Sequence, residues 1–77
     1  MSEQLIGVAA AISAMVNGEQ RTIEPGTTLA SLVQQLGLDP SRLAIEFNRR
    51  IVKSAAWPQT EIDDGAQIEI VQFVGGG

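Results

Sequence analysis

The stretch Pro25-Gly26-Thr27-Thr28-Leu29-Ala30-Ser31-Leu32-Val33-Gln34-Gln35-Leu36-Gly37 holds a strand stop, a helix cap, an apolar stripe and a helix stop. Leu29, Leu32, Val33 and Leu36 stand at i, i+3, i+4 and i+7, the spacing that gathers side chains on one side of an α-helix. Ser31, Gln34 and Gln35 fall on the other side. Thr27 or Thr28 offers a hydroxyl to the first free backbone N–H groups. Gly37 stands where a left-handed residue ends a helix, and Asp39-Pro40 prevents its resumption. The helix predicted here is about ten residues long, too short to persist alone, so it must lie on a sheet.

Upstream, Asn17-Gly18 is a strong two-residue hairpin signal, because both central positions of such a turn need positive φ. It joins a strand of Ile12 to Val16 to a second of Glu19 to Glu24, with Ile12, Ala14 and Val16 on one face. Pro25-Gly26 closes the second strand. Downstream, Leu43, Ile45 and Phe47 alternate with Ala44, Glu46 and Asn48, which predicts a strand with one buried face. Asn48-Arg49 turns it into a short strand, Arg50 to Lys53, on a weaker signal. Ser54 to Gln59 reads as irregular or 3₁₀ packing over the sheet edge, with Trp57 as a core plug. Asp63-Asp64-Gly65 marks a further turn. Its two carboxylates make a poor metal site, because adjacent side chains diverge and no third ligand is suitably spaced.

The last strand is expected from Ala66 to about Val74. Ile68 and Ile70 share one face, whereas Val71 and Phe73 have the opposite parity. Either a bulge resets the register, or the outer face of the sheet carries its own apolar patch; the patch is preferred, since contiguous exposed apolar surface marks a protein-binding site. Beyond it stand Gly75, Gly76 and Gly77. Glycines lack the Cβ that would clash in a narrow passage. From Val74 to the α-carboxylate an extended chain reaches roughly 10 to 14 Å, enough to enter another protein's active site.

The 77 residues make a single small domain with little core to spare for an internal active site. There is no cysteine and no histidine, which removes disulfides, thiolate chemistry and the commonest general base and metal ligand. These absences argue against an enzyme. A net charge of −4 argues against nucleic acid and mildly favours a basic partner. The apolar run Leu5 to Ile12 lacks the positive start of a signal peptide and is too short for a membrane span. A soluble, cytoplasmic protein with no membrane association is expected. The run has no decisive period, which leaves a strand extension, a short helix and a flexible arm open.

The order of two strands, a helix, a strand, a short strand and a final strand is similar to the β-grasp of ubiquitin-like proteins. Within it, the sequence resembles the sulfur carriers of thiamine biosynthesis. The resemblance is carried by Val16-Asn17-Gly18-Glu19, Pro25-Gly26-Thr27-Thr28-Leu29, Leu32-Val33 and Leu36-Gly37. It continues through Ala44-Ile45-Glu46-Phe47-Asn48, Ile51-Val52, Trp57, Asp64-Gly65, Ile68-Glu69-Ile70-Val71 and Phe73-Val74-Gly75-Gly76-Gly77. It covers the chain from Met15 onward. Ala66, in place of an acidic residue, and Lys53 to Ala56, without the usual proline and arginine, depart from the pattern.

The resemblance implies an α+β fold, a ubiquitin-like β-grasp with a mixed four- to five-stranded sheet and one main helix packed on one face. Residues 1–14 would be an extension, flexible or prolonging the first strand; 15–74 the β-grasp domain; and 75–77 a flexible tail. The chain would be a carrier with no catalytic residue, metal or bound cofactor of its own, and a monomer when free. Gly75, Gly76 and Gly77 would thread into partner active sites. A ubiquitin-activating-like adenylating enzyme would join the Gly77 carboxylate to AMP from Mg-ATP. A persulfide sulfur donor would convert it to a thiocarboxylate, and thiazole synthase would accept the sulfur. Val71, Phe73 and Val74 would dock against the partner. Three rivals share parts of this pattern: the small subunit of molybdopterin synthase, a conjugated ubiquitin-like modifier, and a non-catalytic β-grasp interaction domain. Each predicts something different: sulfur delivered to a pterin precursor, covalent adducts in cells, or tolerance of an alanine added after Gly77.

Overall fold

The computed structural model describes residues 10–74. Met1 to Ala9, and with them most of the anticipated extension, lie outside the described residues, as do Gly75 to Gly77. Strands β1 (Ile12–Val16) and β2 (Glu19–Ile23) form the expected hairpin. Its turn has Asn17 at φ 52° and Gly18 at φ 83°. Helix α1 (Leu29–Gln35) follows, then β3 (Leu43–Phe47), β4 (Arg50–Val52) and β5 (Gln67–Gln72). A 3₁₀ turn, Pro40–Arg42, leads into β3, and a 3₁₀ helix, Ser54–Gln59, follows β4.

The strands form one mixed sheet in the order β2-β1-β5-β3-β4. The last strand therefore occupies the centre, parallel to β1 and antiparallel to β3. A central strand has both lateral edges occupied, and here two asparagines lengthen the pairing beyond the strands. Asn17 accepts from the Ile70 N–H at 2.7 Å and donates to the Ile70 carbonyl at 3.2 Å, taking the place of a ladder residue. On the other side Asn48 accepts the Gln67 N–H through its side chain at 2.8 Å. Each hairpin turn thus grips β5 with an amide.

Helix α1 lies on one face, as the stripe requires. Leu29, Leu32 and Val33 are buried against Val16, Ile45, Ile68 and Trp57 in a single core cluster. Each such side chain contributes about 1.5 to 3 kcal/mol by leaving water. Trp57 is buried, and its indole N–H donates to the Val52 carbonyl at 2.8 Å, fastening the 3₁₀ helix to β4.

Several boundaries differ from the sequence reading. The helix has seven residues rather than about ten, because Leu36 already caps it and Gly37 turns left-handed at φ 71°. Thr28, not Thr27, is the N-cap and accepts the Ser31 N–H; the Thr27 hydroxyl instead donates to the Glu24 carbonyl. β2 stops at Ile23 and β5 at Gln72, each short of its expected end, where the ladder partners run out, and β4 stops at Val52 because Lys53 already caps the 3₁₀ helix.

Candidate functional site

The site is built on the end of β5. Its register with β3 runs unbroken from Leu43 opposite Gln72 to Phe47 opposite Ile68, so no bulge accounts for the change of parity. Ile68 and Ile70 point into the core, and Val71 and Phe73 point out, 55% and 54% exposed. Val74 is 93% exposed. The described chain therefore leaves the sheet along an apolar outer surface.

What holds this end in place is the 3₁₀ turn before β3. The Phe73 N–H donates to the Arg42 carbonyl at 2.7 Å, one step past the last strand pair. The turn is itself set by Asp39, whose Oδ1 accepts the Ser41 N–H at 3.0 Å and the Ser41 hydroxyl at 2.8 Å. Arg42 Nε lies 3.7 Å from Asp39 Oδ2. The Ser41 side-chain bond and then its backbone N–H hold the Asp39 carboxyl below its ordinary value against an opposing desolvation, and the Arg42 charge adds the least. Arg42, Gln72, Phe73 and Val74 line a shallow hollow of about 430 Å³ at the point where the chain departs.

Of the sequence-derived site residues, the structure brings Val71, Phe73 and Val74 to one exposed end; Gly75, Gly76 and Gly77 lie outside the described residues. Sequence reasoning missed Arg42 and Gln72. Asp39-Pro40-Ser41 was a readable signal for Arg42, because an Asp two residues before a serine N–H is a capping pattern as well as a helix stop. Further along the outer face, Glu46 stands opposite Glu69, which adds negative charge beside the apolar patch.

Other features of the described residues have structural duties. Asp64 Oδ1 accepts the Ser13 N–H at 2.8 Å, tying the Asp63-Asp64-Gly65 turn to β1. No group of three or more acidic, His or Cys side chains suited to a metal occurs among the described residues. Nor is any helix among them long and apolar enough to cross a membrane. A second hollow, about 350 Å³, lies on the helix side between Ala30, Val33, Leu38, Pro40 and Trp57, away from Phe73.

The model of the ThiS family matches residues 14–77. The chain belongs to the ThiS family. Among relatives of this ThiS chain, the thiazole synthase of Paramagnetospirillum magneticum is 38% identical over 63 residues, covering 82% of this chain and 19% of that protein. The chain thus spans about a fifth of the length of the thiazole synthase it matches. The sulfur carrier protein ThiS of Escherichia coli K12 is 30% identical over 63 residues, covering 82% of this chain and 96% of that protein. The crystal structure of the thiamine biosynthesis protein ThiS from Geobacter metallireducens superposes with a TM-score of 0.71 at 25% identity, covering 86% of this chain and all of that one. The five-stranded mixed sheet with one main helix is the ubiquitin-like β-grasp that ThiS shares.

Proposed function

We propose that this ThiS chain is a sulfur carrier of thiamine biosynthesis, a protein co-substrate rather than a catalyst, working in the cytoplasm. The observation that carries the reading is the family match through Gly77, joined to a central strand whose end presents Val71, Phe73 and Val74 outward. A carboxylate resists nucleophiles, so it must first gain a leaving group. In the proposed sequence a partner adenylating enzyme lets the Gly77 carboxylate attack the α-phosphorus of Mg-ATP, releasing pyrophosphate and forming an acyl-adenylate. The terminal sulfur of a persulfide on the donor then attacks the acyl carbon and expels AMP. A thiol reduces the resulting acyl disulfide and leaves the glycyl thiocarboxylate. Thiazole synthase takes the sulfur, an assignment supported by relatives of that name containing a segment like this chain.

Within this scheme the chain supplies position rather than reactivity. Bare glycines at 75, 76 and 77 admit the backbone to a narrow channel, and the outward patch holds the partner at their base. The chain has no cysteine, hence no internal thiol to intercept the activated acyl group. Intact mass spectrometry tests the reading. Incubation with the cognate adenylating enzyme, Mg-ATP, a persulfide source and a reducing thiol should add about 16 Da at Gly77, the replacement of one carboxylate oxygen by sulfur. A mass that stays constant, or a gain placed elsewhere by fragmentation, sinks it.

A further inference from the structure

Strand β5 runs past the strand beside it. β1 pairs with β5 at Met15 opposite Gln67 and Val16 opposite Ile68, whereas β3 follows β5 from Ile68 to Gln72. Among the described residues, β5 from Glu69 onward therefore has a strand on one side alone. On the β1 side the Asn17 N–H donates to the Ile68 carbonyl at 2.8 Å, and the backbone then turns away through Gly18. The Asn17 side chain continues where the backbone stops. Its Oδ1 accepts the Ile70 N–H at 2.7 Å, and its Nδ2 donates to the Ile70 carbonyl at 3.2 Å. Both bonds are partly buried, where a polar group left unpaired is costly.

Three demands meet at this position. The turn needs a left-handed residue, with φ 52°; the Ile70 N–H needs an acceptor; and the Ile70 carbonyl needs a donor. Glycine meets the first alone, and an ionised aspartate the first two. A carboxamide on a short side chain meets all three. Asn48 supplies the contrast, at the same φ of 52°. Its side chain accepts the Gln67 N–H at 2.8 Å, at the start of β5, where β1 already pairs with Gln67. Asn17 instead holds the half of β5 that leads on to Phe73 and Val74.

We propose that Asn17 is a positioning residue for activation of the chain: its carboxamide stands in for a missing strand at Ile70 and so fixes the direction in which Phe73 and Val74 lead off the sheet toward the adenylating enzyme. The proposal rests on the carrier reading. Asn17 acts through β5, not on the reacting atoms. Without the carboxamide, the end of β5 keeps β3 and the Arg42 carbonyl on one side and loses its hold on the other. A looser end must be ordered at docking, which weakens binding. Once docked, the enzyme itself holds that end, so the chemical step is spared.

The test compares wild type, Asn17→Gly and Asn48→Gly. Both substitutions place glycine at φ 52°, so their cost through the unfolded chain is matched. They differ in which part of β5 loses its amide. With adenylation followed by pyrophosphate release, Asn17→Gly should raise the KM for the chain about tenfold, with kcat at saturation within about twofold of wild type. Asn48→Gly should leave both constants within about twofold. Hydrogen exchange at the Phe73 amide, read without any enzyme, should quicken about fivefold in Asn17→Gly and not in Asn48→Gly. Should Asn17→Gly fail to fold, Asn17→Asp carries the test: it keeps the acceptor for the Ile70 N–H, gives up the donor, and should raise KM about threefold. A KM that stays unchanged, or that rises equally in the two glycine variants, overturns the proposal, as does a loss confined to kcat. So does Phe73 exchange that responds alike to both. A wild-type chain that releases no pyrophosphate with the enzyme overturns the carrier reading, while the exchange comparison still decides whether Asn17 holds the end of β5.

Discussion

The two faces of β5 carry similar side chains and opposite fates. Ile68 and Ile70 are 1% and 9% exposed, whereas Val71 and Phe73, one and three positions further on, are 55% and 54% exposed. Hydrophobicity does not distinguish them; parity does. Successive side chains of a strand point to opposite faces, and α1 covers only one face of this sheet. An apolar residue facing α1 is part of the core, and one facing away is surface kept apolar for another reason. The comparison assigns stability to Ile68 and Ile70 and, on the proposed reading, docking to Val71 and Phe73.

The largest test of that division is Ile68→Ala. Ile68 stands opposite Val16 on one side and Phe47 on the other, under the helix stripe, so truncation leaves a cavity that neighbours on both strands must collapse to fill. A loss of about 2 to 5 kcal/mol is expected, read as a lower denaturant midpoint at constant slope. Because the outer face is untouched, the fraction that remains folded should keep its affinity for the adenylating enzyme. Weakened binding by that folded fraction would show that the two faces are not independent.

Much of this was legible before the fold. The i, i+3, i+4, i+7 stripe, Asn17-Gly18 and the parity of β5 are local signals, and each found its element. The boundaries were less legible, because they depend on partners: β5 ends at Gln72, where β3 begins at Leu43, and nothing within Ala66 to Val74 encodes that meeting. The hold of Asn17 on Ile70, 53 positions away, is likewise invisible to a local reading, since the same asparagine is already explained by its turn. The turn that holds Arg42 was readable from Asp39-Pro40-Ser41, but the contact Arg42 makes was hidden for a similar reason. Its carbonyl, not its side chain, holds Phe73, and a backbone acceptor leaves no trace in composition.

The middle-sized test is Phe73→Ala. Half of that ring is already in water, so stability should change by less than about 1 kcal/mol. Activation should suffer more: the KM for the chain in the adenylation reaction should rise about tenfold if the ring is a docking anchor, with kcat nearly unchanged at saturation. If instead the variant lost as much stability as Ile68→Ala while its KM stayed the same, Phe73 would belong to the core after all.

The smallest effect concerns how firmly the outward end is held, and it runs through Asp39. The Ser41 side-chain and backbone bonds and the Arg42 charge lower the Asp39 carboxyl from its ordinary value of 3.8, so the folded chain binds that proton less readily than the unfolded one. A depressed folded value gives stability that is complete above the ordinary value and is lost as pH falls through the lowered one. The Tm difference between wild type and Asp39→Ala should therefore be small but constant near neutrality, and should close as pH drops from about 5 toward 2. The same variant discriminates between the faces. Removing the carboxylate frees the turn whose Arg42 carbonyl accepts the Phe73 N–H, so hydrogen exchange at Phe73 should quicken, by up to about tenfold, while the amides of Ile68 and Ile70 keep their protection. Equal acceleration at all three would mean that β5 opens as one unit, and that the end presenting Phe73 has no local anchor of its own.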